Sequence, residues 1–520
     1  MNFNKSKSLV KEPVIRKSTV RVAIAGSSTP VRRSASASST PVSARPANPD
    51  RFKLSSNHLP SRPVPPPKRP SHADRALSAS RGLKRKSVTP QLSMFSSDEE
   101  DGGSSDVASG SDISRKRIKS SVSSIDSGGP RRALLAEEAF IEDAAPIKII
   151  HGSQITSGKD HAKFKNPWSD TDFDTVRLQY PSRSIREKFE LKMPKSEYNE
   201  YQPLEDIKET IFTICNFYFP PELEKLYNSE ENETGFQRRF SRAAVHRDID
   251  EFIDIVKDFN RILDGLIKDG RIKHELLHTS TLHLDWIKRI LDQVYARTVS
   301  PQIETLRAYE NGTDNVYGEL LTGFVSKILE QTRLTHDQVF IDLGSGVGNV
   351  VLQAALECGA ESWGIEMMPN PAALARLQAR EFRARARLWG LSAGSIHLHE
   401  GDFTSFPSNK PVLEVLARAD VVLVNNQAFT PSLNDKLRDM FLDLKDGCRV
   451  VSLKPFVPEG HKITNRNVGS VVNLFVQQKF TYFSNSVSWT DQMGSYYIAR
   501  KDKRPLEAFL RRNGGGGGAK

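Results

Sequence analysis

Residues 339–353, Val339-Phe-Ile-Asp-Leu-Gly-Ser-Gly-Val-Gly-Asn-Val-Val-Leu-Gln353, constrain the fold more than any other stretch of the chain. Val339, Phe340 and Ile341 follow a polar turn and precede a glycine cluster, so they read as a short buried strand. Gly344, Gly346 and Gly348 let the backbone take positive φ and approach a ligand closely. From Asn349 to Leu356 apolar residues return at helix-compatible spacing. Strand, glycine turn and helix start open a βα unit, and a doubly wound α/β sheet places its chemistry at such strand ends.

The turn also discriminates between ligands. A dinucleotide fold wants Gly-x-Gly-x-x-Gly, with the pyrophosphate against the helix N-terminus. Here the third glycine comes one residue early and Asn349 stands in its place. Asp342 puts a carboxylate into the same turn, where it would repel a pyrophosphate and attract an ammonium group. S-adenosylmethionine fits better: Asp342 can partner its amine, and helix-start N–H groups its carboxylate. The next predicted strand, Ser362–Ile365, ends in Glu366, well placed for both ribose hydroxyls. Ile396–Leu398 alternates like a strand and leads to Glu400-Gly-Asp-Phe403, where Asp402 offers an acceptor for the adenine amine and Phe403 a ring beside the base.

The charge is unevenly held. Residues 1–140 carry 25 Lys and Arg against 12 Asp and Glu, or +13, so the remainder is near −2 within a total of +11. This segment is rich in Ser and Pro and nearly free of aromatics, and it is expected to be a disordered basic tail over 1–145. Its charge points to a polyanionic partner, nucleic acid ahead of membrane, because no apolar anchor accompanies it. Lys84-Arg-Lys86 and Arg115-Lys-Arg-Ile-Lys119 resemble nuclear-import signals. Three scattered cysteines, Cys215, Cys358 and Cys448, argue against a disulfide framework or zinc site, and the apolar runs are too short to span a bilayer. The expectation is a soluble intracellular protein with no metal.

Aromatic and aliphatic residues appear from about 146, and 146–315 reads as a mainly helical subdomain. Its predicted helices are Pro203–Phe219, Ser241–Lys268 and Thr281–Val299, each with an apolar stripe that reads as core. Val316–Leu320 leads into a helix reaching Leu329, with Gly318 in its first turn, a costly position that invites a reason such as close approach of a ligand. After Glu366 come a helix at Ala372–Trp389, largely solvated, a strand at Asp420–Val424, a helix at Ser432–Leu444 and a strand at Cys448–Leu453. Val471–Gln477 and Ser495–Arg500 have no helix between them and should pair antiparallel. The α/β domain is placed at 316–508, with a flexible Gly-rich tail at 509–520.

Methyl transfer is an in-line displacement, so the protein must position two reactants and exclude water more than it must supply a strong base. An apolar channel lowers an acceptor amine's pKa, and one acceptor can aim its lone pair. Asn425, at the end of the Asp420–Val424 strand, could aim it, and Phe429, Trp489 and Tyr496 could wall the channel.

Asp342-Leu-Gly-Ser-Gly-Val-Gly-Asn349, Val316-Tyr-Gly-Glu319, Glu366, Gly401-Asp-Phe403, Val424-Asn-Asn-Gln-Ala-Phe429, Ser452-Leu-Lys-Pro-Phe456 and Ser486-Val-Ser-Trp-Thr490 followed by Ser495-Tyr-Tyr497 together resemble the Disruptor of telomeric silencing family, histone H3 lysine methyltransferases without a SET domain. The resemblance spans roughly residues 300–505, and the tail-first order looks like the fungal members. It implies a Rossmann-like class I methyltransferase sheet with an antiparallel C-terminal strand. It implies S-adenosylmethionine as methyl donor and mono-, di- and trimethylation of a lysine on the folded core of H3 in nucleosomes. Nuclear roles in chromatin regulation, telomeric silencing and the DNA damage response follow, with a ubiquitylated histone as a candidate partner. The cofactor site it implies is Tyr317, Gly318, Glu319, Leu320, then Phe340, Ile341, Asp342, Leu343, Gly344, Ser345, Gly346, Val347, Gly348 and Asn349, with Glu366, Asp402 and Phe403. Asn425 and Tyr496 fall on its positions near the reacting amine, and Phe429 and Trp489 on matching places. Two rivals stand beside it. One is a nucleic-acid exocyclic-amine methyltransferase, against which Asn426-Gln427 replaces both prolines of the Asn-Pro-Pro-aromatic motif. The other is a chromatin scaffold that keeps the fold without turnover.

Overall fold

The computed structural model describes residues 132–141, 147–157, 161–168, 174–196, 201–306, 318–405 and 410–514. Its centre is a seven-stranded sheet of β1 (Val339–Leu343), β2 (Glu361–Glu366), β3 (Ile396–Glu400), β4 (Val421–Val424), β5 (Arg449–Ser452), β6 (Phe475–Tyr482) and β7 (Gly494–Lys501). The spatial order is β6-β7-β5-β4-β1-β2-β3. Strands β1 to β5 run parallel, and β7 is antiparallel to both β5 and β6. Every residue of β1 and β4 is buried, which is why these strands read as almost unbroken apolar runs.

Period-two alternation sorts the strand residues between two cores. Phe340, Leu423, Val451 and Tyr496 face one side, against Phe324, Val325 and Ile328 of a helix at Thr322–Thr332. Ile341, Leu343, Val422 and Val450 face the other, against Leu437 and Phe441. Helices therefore cover both faces. The chain leaves β1 toward β2 and β3 and then returns to β1's other side with β4, so a crevice opens between the C-terminal ends of β1 and β4.

Helices α1 (Pro203–Tyr218), α2 (Phe236–His246), α3 (Ile249–Lys268) and α4 (Leu284–Thr298) form the helical part. One apolar cluster links it to the sheet, joining Ile211, Phe259 and Ile290 to Val351, Phe382 and Trp389. The last two lie on or just beyond α7 (Pro369–Leu388), which follows α5 (Thr322–Thr332) and α6 (Asn349–Glu357) in the chain. Within this shared interior sits an ion network. Arg385 donates to Glu187 at 2.8 Å and to Glu381 at 3.0 Å, and Arg297 donates to Glu187 at 2.9 Å and to Asp206 at 2.5 Å. Burial alone would raise the Glu187 carboxyl, but the Arg297 and Arg385 guanidiniums hold it below its ordinary range.

Several expectations need correction. The fold begins before 146: Leu134 and Leu135 are buried, and the Arg132 guanidinium donates to the carbonyls of Glu357 and Ser392, both at 2.8 Å. Two small antiparallel sheets, including Thr175–Leu178 paired with Glu187–Glu190, interrupt the mainly helical region. Ser241–Lys268 is two helices, because Arg247 turns left-handed at φ 53° and Asp248 caps α3 by accepting from Glu251 N–H at 3.0 Å. Gly318 lies ahead of α5, outside any helix. Far from solvated, Arg385 of α7 is fully buried. The C-terminal region holds α8 (Pro431–Met440) and α9 (Arg504–Gly514), the latter replacing the expected flexible start at 509. The import-like clusters and the first 131 residues lie outside the described residues.

Candidate active site

After Leu343 the backbone takes φ 88° at Gly344, 54° at Gly346 and 87° at Gly348, conformations that side chains rarely allow. The N–H groups of Gly344 and Ser345 donate to the Ile365 carbonyl at 2.9 and 3.0 Å, which ties the turn to β2. Gly348 caps α6 from behind, where an added Cβ would lie 3.5 Å from both Ala375 and Leu398. Gln378 of α7, buried, braces the turn by donating to the Val347 carbonyl at 2.7 Å and to Asn349 Oδ1 at 2.9 Å.

The resulting cleft is lined by Gly318, Glu319, Leu320, Asp342, Gly344, Ser345, Gly346, Val347, Asn349, Glu366, Asp402, Phe403, Asn425 and Phe429, all expected from the sequence. Asp342 and Glu366 thus share one crevice. Burial, with the Glu366 charge, pushes the Asp342 acid up to about 8. Burial also raises Glu366, opposed by N–H donors: its oxygens accept from Met368 and Gly346 at 2.8 and 2.9 Å. Two such carboxyls without a cation favour a positively charged guest. Asp402 differs, since hydrogen bonds from Ser405 and Thr404 outweigh its burial and keep its acid below the ordinary value. Phe403 and Phe429 have ring centroids 6.5 Å apart, and Phe429 also borders Gly344, so both rings stand on the glycine-turn side of the cleft.

On the other side, Asn425 Nδ2 donates to the Gly318 carbonyl at 3.1 Å. That bond fixes the amide so that, among the described residues, Oδ1 is buried with no hydrogen-bond partner. The segment that carries Gly318 is itself clasped by Ser486–Trp489: Leu321 N–H donates to the Ser486 carbonyl, and Glu319 and Ser488 exchange hydrogen bonds at 2.9 Å. A Cβ at Gly318 would come within 2.6 Å of the Trp489 ring, so the glycine answers to Trp489 as well as to the cleft it lines. Tyr295 of α4 holds the Glu319 carboxylate at 3.0 Å.

Other candidates fall elsewhere. Phe340, Ile341 and Leu343 are core residues of β1, because alternation along a strand buried on both faces leaves only its C-terminal end to the cleft. Gly348 shapes the turn from outside the lining. Trp489 backs the clasp without lining the cleft. Tyr496 is fully buried, its hydroxyl donating to Gln331 at 2.6 Å and its ring against Phe324 and Phe480, in the apolar cluster that also holds Leu320 and Leu423. Tyr317 lies outside the described residues. Val350, Met367, Met368, Leu423 and Leu433 line the cleft without having been expected. Leu423 was accessible in principle, standing two residues before Asn425 on the same strand face.

Buried acid at one strand tip, a carboxylate at the next, an acceptor and ring beyond them and a lone amide oxygen across the crevice fit S-adenosylmethionine, and the doubly wound sheet with its antiparallel C-terminal strand makes this a class I methyltransferase. Residues 295–500 match the family model described as histone methylation protein DOT1. The chain is 47% identical to a histone-lysine N-methyltransferase, H3 lysine-79 specific, of Aspergillus fumigatus over 82% of each protein. It is 49% identical to the one of that name in Emericella nidulans, over 73% of this chain and 75% of the relative. An RNA methyltransferase from Salinibacter ruber overlaps 34% of this chain and 90% of that one at 24% identity, with a TM-score of only 0.23. The chain belongs to the DOT1 family of histone methyltransferases.

Proposed function

We propose that this protein methylates, up to three times, the amine of a lysine on the globular core of histone H3 in nucleosomes, the lysine 79 named in its relatives. The observation that carries this reading is Asn425 Oδ1, a buried acceptor on the cleft-lining Asn425 that has no hydrogen-bond partner among the described residues. An amine entering beside it gains the hydrogen bond that the fold leaves unmade. Leu320 and Leu423 present apolar surface there, which favours the neutral, nucleophilic amine over the ammonium. Bound S-adenosylmethionine supplies a methyl group on a sulfonium. Asp342 would hold its amine, the N–H groups opening α6 its carboxylate, Glu366 the ribose, and Asp402 with Phe403 the adenine. The chain's part would be to let the ammonium proton pass to solvent and to hold the lone pair, oriented by Asn425, in line with the methyl–sulfur bond, which would break as the sulfonium leaves as a neutral thioether.

The flipped-base alternative gains nothing from the structure. That reading would also use Asn425, but where its motif needs a first proline stands Asn426, whose amide is structural: it accepts from Leu453 and Lys454 N–H at 3.0 and 2.8 Å and donates to Asn434 at 2.9 Å. Action in the nucleus follows from the substrate, and among the described residues no helix is long and apolar enough to cross a membrane. The basic N-terminal segment would hold the enzyme on nucleosomal DNA, and a ubiquitylated histone would be a further contact. Mass spectrometry of nucleosomal histones after incubation with enzyme and cofactor tests the reading. The expected result is 14 Da increments on one H3 core lysine, about the mass of a CH2 gained per transfer; label confined to DNA would overturn it.

A further inference from the structure

At the end of the sheet opposite the cleft three arginines gather, with Asp420 and Asp502 the acids that act on Arg449 and Arg500. Arg449 opens β5 and Arg500 nears the end of β7, and the two are direct cross-strand partners in an antiparallel pair. Directly opposed side chains stand on the order of 5 Å apart at Cβ, and like charges there are destabilising. Arg333 closes α5, whose Ile328 and Leu329 pack on the same face of the sheet. Its backbone is left-handed at φ 51°, where glycine is usual, so the side chain is kept at a conformational cost.

Among the described residues, none of the three guanidiniums makes a salt bridge or side-chain hydrogen bond. The nearby acids are committed elsewhere. Asp420 accepts from Val339 N–H at 3.0 Å and pairs with Lys445 at 2.7 Å, while Asp502 is taken by Arg504 at 2.5 Å and Asp446 by Lys503 at 3.2 Å. Arg449 is half-buried, and burial, together with the charges of Arg500 and Arg333, lowers its pKa. A desolvated cation held between two others is matched by an anion that carries more than one charge and several acceptor oxygens.

We propose that Arg333, Arg449 and Arg500 form a second binding site, for a phosphomonoester dianion carried on a peptide. Three guanidinium charges at one end of one sheet face favour a doubly charged terminal phosphate over a singly charged phosphodiester. The site lies at the N-terminal end of β5, whereas Asp342 and Glu366 stand at C-terminal strand ends, so it can be filled while the cleft works.

The test uses the full chain, an acidic peptide with one phosphoserine, its unphosphorylated twin, inorganic phosphate and a short DNA duplex. Binding is followed by calorimetry and by thermal unfolding at constant ionic strength. The phosphopeptide should bind in preference to its twin, and inorganic phosphate should raise Tm more weakly through the same site. Arg449→Gln with Arg500→Gln should weaken the phosphopeptide at least about tenfold, the loss expected when charge-assisted hydrogen bonds are removed. Arg333→Gly suits the left-handed backbone and should also lower affinity while the protein without phosphate keeps or gains Tm. Equal binding of the two peptides, or unchanged phosphopeptide affinity in both variants, would overturn the proposal. So would duplex DNA binding more tightly than the phosphopeptide and losing that binding in the same variants.

Discussion

Asp342 and Glu366 meet in one crevice, and with the Asp342 acid raised to about 8, the proposed grip of Asp342 on the cofactor amine would make binding a proton-linked event. In the free protein Asp342 keeps its proton at neutral pH, while a cationic amine demands the carboxylate. Calorimetry at pH 7 in two buffers of different ionisation enthalpy should report close to one proton released per cofactor bound, and affinity should weaken as pH falls below about 8. For the free protein the sign is the reverse. An acid raised on folding contributes stability that is full below its unfolded pKa and lost as pH rises through its folded one, so this contribution fades toward pH 8. Gly346→Arg fills the turn and forces a side chain into φ 54°, and should abolish cofactor binding in the same titration. Asn425→Ala should lower kcat by roughly 10²-fold, as loss of one preorganised polar group does, with cofactor affinity changed much less. Tyr496→Phe should keep methyl transfer and cost about 1 kcal/mol of stability, the value of one buried hydrogen bond.

Among the elements, those with strong local signals were legible in the sequence. The glycine turn, β1, α6 and the antiparallel β6–β7 pair followed from spacing and from the absence of a helix between the last two strands. The glycine-turn side of the cleft was legible for the same reason, since it is built from strand tips and the residues just after them. What escaped depended on tertiary partners. The ring of Tyr496 is turned toward α5 by strand alternation, and Trp489 is engaged by Gly318, a contact across 171 residues that no local pattern records. Arg385 looked solvated because its neighbours on α7 are arginines, and only the carboxylates of Glu187 and Glu381 make its burial tenable. Replacing Arg385 by Leu should strand Glu187 beside a single remaining guanidinium and destabilise the protein by about 3–5 kcal/mol, the usual cost of breaking a buried ion pair. Chemical denaturation measures it.

For the whole molecule, the proposed role of the Lys- and Arg-rich first 131 residues on nucleosomal DNA predicts that their deletion weakens nucleosome binding and flattens its dependence on salt. A cut at 131 spares Arg132 and the buried Leu134 and Leu135, which a cut at 140 or later would remove. The salt slope read by electrophoretic mobility or polarisation checks this; an unaltered slope assigns the DNA contact elsewhere. Residues 295–500, the stretch by which the family is recognised, do not coincide with a piece that could stand alone. Trimming to those limits would take away Glu187 and Asp206 and leave Arg297 and Arg385 facing water through a torn interior. Anyone seeking the smallest working enzyme should therefore keep the span from 132 to 514 intact, because the boundary drawn by kinship and the boundary drawn by solvent are different lines.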